Sequence, residues 1–364
     1  MDLTLDRLMP YVGGEYRLRW IARDPVNLPM IRQWCDVMGE DNAVYTDEEF
    51  ARRSVHQSLV APPAMLDVWD SPGLMKAVRI DETQPSSQVR LVLADRGFTK
   101  PLAVTWDYSF DRYLRHGEVV ASYERVEQIT GEKQTRLGRG HFVTIGYEYR
   151  VGAERVGTLR GQSFVYQPDP RLAASADADG RVRGTPPSQL TPFGTFGAAP
   201  MSIGGIDLAA RRPRTGPTRT AADVAAGDIL PEEAIPISTT LIIGGALFTL
   251  DYADAHHDRD NAGPGHGVLD IFTNIRTTLG LCQRWISDWA GPEALWRRLS
   301  VRLGRQNYAY DTMVLTGSVR SAASDGQPIT IDFTGTNQFG NHVVGSAEIE
   351  LPGYRRNSRT GGDQ

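Results

Sequence analysis

The 364-residue chain has only two cysteines, Cys35 and Cys282, and its formal net charge at pH 7 is −5. Two cysteines are too few for a disulfide framework or a structural zinc site, so we expect inert thiols in the core. The absence of a basic excess argues against a nucleic-acid-binding protein. Hydrophobic residues make up 40% and charged residues 23% of the chain, as in folded proteins long enough for two domains.

Long hydrophobic runs are also missing. The most apolar stretch, Ile237 to Leu250, is interrupted by glycines and hydroxyl-bearing residues and is too short to span a bilayer. The first residues, MDLTLDRLMP, carry acids where a signal peptide carries a basic and then an apolar segment. We therefore expect a cytoplasmic protein with neither a membrane nor a nucleic acid as partner.

Composition divides the chain into two halves. Residues 168–220 are rich in Pro, Gly, Ala and Arg without a hydrophobic period, which predicts an irregular linker, and 353–364 are predicted to be a disordered tail. The flanking segments, 1–167 and 221–352, have the same internal order, in which helical segments precede four strand-like runs. The predicted strands are LAVTWDYSF, EVVASYERVEQI, GHFVTIGYEYRV and VGTLRGQSFVY in the first half, and LWRRLSVRLG, TMVLTGSVR, PITIDFTGTNQ and NHVVGSAEIEL in the second.

The clearest periodic element is a helix in the second half. Apolar residues recur there at spacings of three and four, namely Ile271, Ile275, Leu279, Cys282, Ile286 and Trp289. Asp270 is predicted to cap the start of this helix, and Gly291-Pro292 to end it. A helix followed by antiparallel strands, present twice, predicts an α+β double hotdog, in which two antiparallel sheets each wrap a central helix.

The densest group of proton-handling side chains is DYADAHHDRD, residues 251–260, with His266 soon after. A carboxylate and an imidazole five positions apart can converge on a water molecule for acid/base catalysis. The same residues resemble the ligand supply of a metal-dependent hydrolase, and they are also compatible with a solvated acidic loop. These three interpretations stay open on the residues alone.

The segment resembles the hydratase motif of the MaoC-like (R-specific) enoyl-CoA hydratase family: Asp251, His256, Asp258 and then the small residue Ala262. Residues 221–352 resemble the small subunit, and the first half the MaoC-like domain of the large subunit, of bacterial steroid side-chain enoyl-CoA hydratases. The chain is thus similar to a fusion of the two subunits. It departs from the usual motif at Leu250, where a glycine is usual, and at Asp254-Ala255, where the motif has Asn-Pro.

The resemblance implies that Asp251 and His256 activate water for addition to a 2-enoyl-CoA, with backbone amides near Thr273 and Asn274 stabilising the thioester oxyanion. It implies no cofactor besides the CoA of the substrate, and a homodimer. Glu40 and Tyr45 stand at the motif positions of the first half, which is therefore predicted to be catalytically inactive. Basic candidates for the CoA phosphates are Arg276, Arg302 and Arg305, followed by Lys133, Arg136 and Arg139.

The first half is also predicted to bind the acyl tail. Its counterpart of the long helix, PPAMLDVWD, is followed by Ser71-Pro72-Gly73, which shortens it. The resulting space is expected to admit a bulky, steroid-like acyl group, and its expected lining is Met65, Leu66, Trp69, Leu74 and Met75. Two alternatives from other classes are a non-catalytic hotdog that binds acyl-CoA or acyl-carrier protein, and a metal-dependent hydrolase.

Overall fold

A computed structural model describes residues 3–74, 82–135, 137–168, 202–203, 206–207, 213–266, 268–324 and 327–353. Met75, Arg136, most of the predicted linker and nearly all of the predicted tail lie outside these ranges. The helices are α1 Leu3–Leu8, α2 Leu28–Met38, α3 Ala43–Thr46, α4 Glu48–Arg53, α5 Pro85–Ala94, α6 Thr239–Phe248, α7 Arg259–His266 and α8 Ile275–Ala290. No helix in the described ranges has the length and apolarity needed to cross a membrane.

The strands of the described chain build one large antiparallel sheet and a two-stranded ribbon. They are β1 Arg17–Ile21, β2 Lys100–Phe110, β3 Val120–Ile129, β4 Lys133–Thr135, β5 Gly138–Val151, β6 Glu154–Pro168, β7 Ser202–Ile203, β8 Ile206–Asp207, β9 Glu233–Ile237, β10 Leu295–Leu303, β11 Asp311–Ser321, β12 Ile329–Asn337 and β13 Gly340–Glu350. The large sheet has the order β1-β3-β5-β6-β2-β10-β13-β12-β11-β9, with β4 paired to β5.

The two halves repeat one strand topology. The order β1-β3-β5-β6-β2 of the first half returns as β9-β11-β12-β13-β10 in the second. The halves meet where β2 pairs antiparallel with β10, with Trp106 opposite Val301 and Tyr108 opposite Leu299. The predicted double hotdog is thereby confirmed, and its two sheets are continuous with each other.

The eight predicted strands are all present, whereas the edge strands β1 and β9 were missed. β1, RLRWI, has only five residues, too few for its alternation of arginine with leucine and tryptophan to stand out, and none of them is fully buried. β9, EAIPI, contains Pro236, and a proline in a sequence argues against a strand because it cannot donate a backbone hydrogen bond. An edge strand tolerates proline, since it has a neighbouring strand on one side only.

The long helix of the second half, α8, begins later than predicted. Its N-cap is Asn274, whose side chain accepts from the amide of Thr277 at 2.7 Å. The prediction that Asp270 caps this helix is therefore wrong. One oxygen of Asp270 instead accepts from Arg259 and from the amide of Ile271, both at 2.7 Å. The helix ends at Gly291, as predicted.

Helices of the two halves pack closely in a shared core. A side chain at Gly280 of α8 would place its Cβ 2.8 Å from the Trp34 ring and 2.7 Å from the sulfur of Met38, both on α2. Glycine is thus needed for this approach. Cys35 and Cys282 lie buried and unoxidised in the same core, and burial raises the pKa of Cys282 to about 12. Both are inert core thiols, as expected.

Candidate active site

Asp251 projects from a left-handed turn that follows α6. Leu250 has φ +54°, a conformation that costs a non-glycine residue energy. The amide of Asp251 donates to the carbonyl of Ala246 at 2.9 Å, and its Oδ1 accepts from the amide of Ala253 at 3.3 Å. The turn explains why glycine is usual at the position of Leu250 in the motif.

His256 lies in the 3-10 turn Asp254–His256 and is held from one side. Its Nδ1 lies 2.7 Å from the carbonyl oxygen of Phe272, and the two rings meet edge to face at 4.9 Å. Because a carbonyl only accepts, Nδ1 carries the proton and Nε2 of the neutral ring has a free lone pair. That Nε2 lies 3.7 Å from Oδ2 of Asp251. This separation is longer than a direct hydrogen bond and allows one water to contact both groups.

Asp254, in the 3-10 turn, and His266, at the end of α7, form a second acid–imidazole pair. Nε2 of His266 contacts one carboxylate oxygen of Asp254, and the side chain of Asn261 contacts the other. Burial opposes ionisation of Asp254, but the hydrogen bond and charge of His266 outweigh it, so the pKa of Asp254 is lowered. Tyr166 of the first half donates to the carbonyl of His266 at 3.1 Å. These contacts tie α7 to the turn that carries His256 and to the first half.

Thr273 and Asn274, the predicted oxyanion residues, differ in the hydrogen bonding of their amides. The amide of Thr273 donates to the carbonyl of Asn307 at 3.1 Å. For the amide of Asn274, at the start of α8, the described residues supply no acceptor. The Asn274 side chain donates to Thr249 Oγ1 at 2.7 Å. Of the two amides, the structure therefore leaves that of Asn274 available.

Arg276 is not placed to meet a CoA phosphate. Its Nε donates to Asp67 at 2.8 Å and its Nη1 donates to the carbonyl of Thr249 at 2.9 Å. Only 16% of its side chain is exposed. The prediction for this residue is wrong because its guanidinium is buried and already bonded to the other half of the chain, a pairing that sequence spacing does not reveal.

Arg302 and Arg305 are exposed but lie at different places. Arg305 lines a cavity of about 180 Å³ together with Phe272 and Thr273, and side chains of both halves enclose it. The other lining residues are Leu102, Ala103, Val104, Thr135, Leu137, Phe142, Phe164, Leu303, Gly304, Gln306 and His342. Arg302 instead lines a larger cavity of about 570 Å³ on the second-half sheet, with both polar and apolar lining. Of these two arginines, only Arg305 shares a cavity with Phe272, the residue whose carbonyl contacts His256.

The other basic candidates lie on β4 and β5. Lys133 is exposed on β4. Arg139 on β5 is within 3.7 Å of a Glu132 oxygen and donates to Gln167. Arg139 thus already has partners on its own sheet, whereas Thr135 and Leu137, which flank the undescribed Arg136, line the smaller cavity.

The predicted acyl-tail residues are mostly in the core. Met65, Leu66 and Trp69 are 0%, 3% and 4% exposed, and they do not line the cavities of about 180 and 570 Å³. The segment is indeed short, a 3-10 turn over Pro63–Met65, but α8 packs against it, with Gln283 accepting from the amide of Ala64 at 2.7 Å. The expected open tunnel is thus filled at this place by the helix of the other half. Leu74 is 54% exposed.

In the first half, Glu40 and Tyr45 are both buried at 2% exposure. Glu40 accepts from the amide of Asn42 at 2.9 Å and from Arg214 at 3.1 Å. Burial, stronger than the effect of Arg214, raises the pKa of Glu40 to about 7, and burial raises the pKa of Tyr45 well above its usual value. These positions therefore lack both an imidazole and an accessible carboxylate.

Ligand-type side chains converge elsewhere than the sequence suggested. In the part of the chain that the structure describes, the one set of three with atoms within 4.8 Å of each other is Glu40, Asp41 and Asp288, not the 251–260 segment. Arg214 lies among these three carboxylates at 3.0 to 3.1 Å from each. The guanidinium of Arg214 therefore already supplies a positive charge to these three carboxylates, at the position where a metal ion would bind.

Comparison with known proteins identifies relatives of this chain. A family model described as "FAS1-like, dehydratase domain region" matches residues 21–157. The chain is 45% identical over 125 residues to the 3-oxo-4,17-pregnadiene-20-carboxyl-CoA hydratase beta subunit of Mycobacterium tuberculosis, a match covering 34% of this chain and 95% of that protein. It is 34% identical over 148 residues to the alpha subunit from the same organism, covering 41% of this chain and 47% of that protein.

The whole fold also has a solved counterpart. A MaoC-like dehydratase superposes with a TM-score of 0.68 at 17% identity, covering 94% of this chain and 99% of the other. The chain spans about half the length of the curated alpha subunits it matches. With a near-complete beta-subunit match and this fold, the chain belongs to the MaoC-like enoyl-CoA hydratase family and is a double-hotdog hydro-lyase.

Proposed function

We propose that the protein adds water to the double bond of a 2-enoyl-CoA with a bulky, steroid-like acyl group, and that Asp251 and His256 activate the water. The observation that carries the proposal is the placement of Nε2 of His256 3.7 Å from Oδ2 of Asp251, with Nδ1 tied to a carbonyl. At that separation one water molecule beside the pair can contact both the carboxylate oxygen and the imidazole nitrogen.

In the proposed step, Asp251 orients the water and Nε2 of His256 takes its proton. The water oxygen bonds to Cβ, the π electrons of the double bond move toward the thioester carbonyl, and the proton is returned to Cα. Charge on the thioester oxygen is met by the amide of Asn274, with the positive end of the α8 dipole behind it. The proton transfers need no redox cofactor or metal, so we propose that CoA enters only as part of the substrate.

Two features support a CoA thioester with a large acyl group. The relatives that match the two halves are both named as subunits of a hydratase of a pregnadiene-carboxyl-CoA. The cavity beside Phe272 and Thr273 is lined largely by apolar side chains of both halves. Arg305, in the same lining, is exposed and is our candidate to bind a phosphate of CoA. Because the core around Met65 is filled, we place the acyl group in the smaller cavity.

The test is a panel of 2-enoyl-CoA thioesters, from crotonyl through octenoyl to a steroid side-chain thioester, assayed for loss of enoyl absorbance with and without EDTA. We expect kcat/KM to rise steeply with acyl size and to be unaffected by EDTA. Binding of the thioesters without any turnover would instead identify a non-catalytic acyl-CoA module. A preference for crotonyl-CoA would overturn the steroid assignment while leaving the hydratase assignment intact.

We also propose a homodimer. The chain matches both an alpha and a beta subunit, so one copy already supplies both halves of the site, and a pair of chains would equal two copies of each. Light scattering coupled to size-exclusion chromatography measures the mass directly. A mass close to 40.2 kDa would show a monomer and contradict the proposal.

A further inference from the structure

A buried polar network reaches from the first half to the segment that carries Asp251. Arg276, near the start of α8, donates from Nε to one oxygen of Asp67 at 2.8 Å and from Nη2 to the Asp67 carbonyl at 3.3 Å. The other carboxylate oxygen of Asp67 accepts from the hydroxyl of Tyr108 at 2.8 Å. Asp67 and Tyr108, both of the first half, are 2% and 0% exposed.

The opposite edge of the same guanidinium holds Thr249, two residues before Asp251. Its Nη1 donates to the carbonyl oxygen of Thr249 at 2.9 Å. The hydroxyl of Thr249 is held separately by the side chain of Asn274 at 2.7 Å. Thr249 is fully buried, so both its main chain and its side chain are fixed at the entrance to the left-handed turn at Leu250.

From these contacts we infer that Arg276 is a positioning residue, which uses Asp67 and Tyr108 of the first half to fix the Thr249–Asp251 segment of the second. The inference rests on the proposed role of Asp251. The left-handed conformation is unfavourable for leucine, so the turn needs a fixed neighbour to persist. Displacement of a reacting group by about 1 Å can cost on the order of 100-fold in rate. The first half thus completes the site without a reacting atom of its own.

Electrostatics acts in the same direction. Burial opposes the positive charge of Arg276, but the carboxylates of Asp67 and Asp251 outweigh it and raise the pKa of the guanidinium. The attraction between the fixed positive charge of Arg276 and the carboxylate of Asp251 thus adds to the hydrogen bonds that hold the Thr249–Asp251 segment.

The experiment uses the full-length protein and the variants Arg276→Lys, Asp67→Asn and Tyr108→Phe. Arg284→Lys is the matched control, because Arg284 lies on the same helix, is 6% exposed and is paired with Glu233 and Asp288, away from Thr249. Amide hydrogen exchange of residues 247–257, followed by mass spectrometry, reports on the segment without any substrate. Hydration kinetics report on its effect, and thermal unfolding reports on general stability.

For Arg276→Lys and Asp67→Asn we expect at least several-fold faster exchange in 247–257, a fall in kcat of about 100-fold and a change in KM within about threefold. Tyr108→Phe, which removes a single hydrogen bond from Asp67, should give the same pattern more weakly. Arg284→Lys should lower the unfolding temperature while leaving exchange of this segment and kcat unchanged.

Unchanged exchange and kcat in Arg276→Lys would overturn the inference, and so would equal losses in Arg284→Lys. If Arg276→Lys does not fold, Asp67→Asn and Tyr108→Phe carry the same test. A wild-type protein that hydrates no thioester would defeat the proposed function alone, since faster exchange in the variants would still show that the network fixes the segment.

Discussion

The imidazole of His256 is oriented by the carbonyl oxygen of Phe272, which lies 2.7 Å from its Nδ1. Because this contact determines which ring nitrogen keeps a lone pair, it directs the basic atom of His256 toward Asp251. We predict that Asp251→Asn and His256→Ala each lower hydration by several orders of magnitude with little effect on the unfolding temperature. The double variant should lose little more than either single variant, because the two act as one proton-transfer unit. Near-normal turnover in either single variant would refute the assignment.

Leu250 offers a test of the turn. Since φ at this residue is +54°, a β-branched side chain should be worse tolerated than glycine. We predict that Leu250→Gly keeps kcat within several-fold of wild type, whereas Leu250→Val loses about 1 kcal/mol or more of stability and most of its activity. Leu247→Val, at an exposed helical position, is the control. Urea unfolding and steady-state kinetics of the three variants decide the matter, and equal behaviour of the valine variants would contradict the prediction.

Arg302 and Arg305 form a natural pair for locating the CoA phosphates. Arg305 lines the cavity next to Thr273, and Arg302 lines the one on the second-half sheet. We predict that Arg305→Ala raises KM for enoyl-CoA by roughly tenfold with kcat nearly unchanged, the loss expected for one charge-assisted hydrogen bond. Arg302→Ala should change neither constant. The reverse result would place the CoA in the larger cavity, beside Arg302.

The buried carboxyl of the first half is predicted to be dispensable for the reaction. Glu40→Gln and Tyr45→Phe should leave kcat largely unchanged, because Arg214 already occupies the carboxylate and no imidazole is present. A loss equal to that of His256→Ala would mean that the first half contains a working site.

The same glutamate should make stability depend on pH. Burial raises its pKa from 4.5 to about 7, so the unfolded chain loses the proton first as pH rises. The contribution of Glu40 is therefore greatest below about pH 4.5 and declines as pH rises to about 7. Relative to Glu40→Gln, the wild type should lose stability between pH 5 and pH 8. Urea midpoints at the two pH values measure this, and a relative gain would contradict it.

The strand pattern, the long helix and the proximity of Asp251 to His256 could all be predicted from the sequence, because each leaves a local signature of period or spacing. Three features were not. The N-cap of α8 is Asn274, whereas the Asp270 side chain is already hydrogen-bonded to Arg259. The sequence does not show that Asp270 has this partner. The pairing of Arg276 with Asp67 joins residues more than 200 positions apart. The core around Met65 is filled by a helix of the other half, which no local pattern describes.

The seam between β2 and β10 has a consequence for how the active protein forms. Where two halves of a site reside on separate polypeptides, their association follows mass action and weakens on dilution. Here both strands of the seam belong to one chain, so pairing of Trp106 with Val301 is intramolecular and its effective concentration is independent of how much protein is present. The two halves therefore stay paired even when the enzyme is present at low concentration.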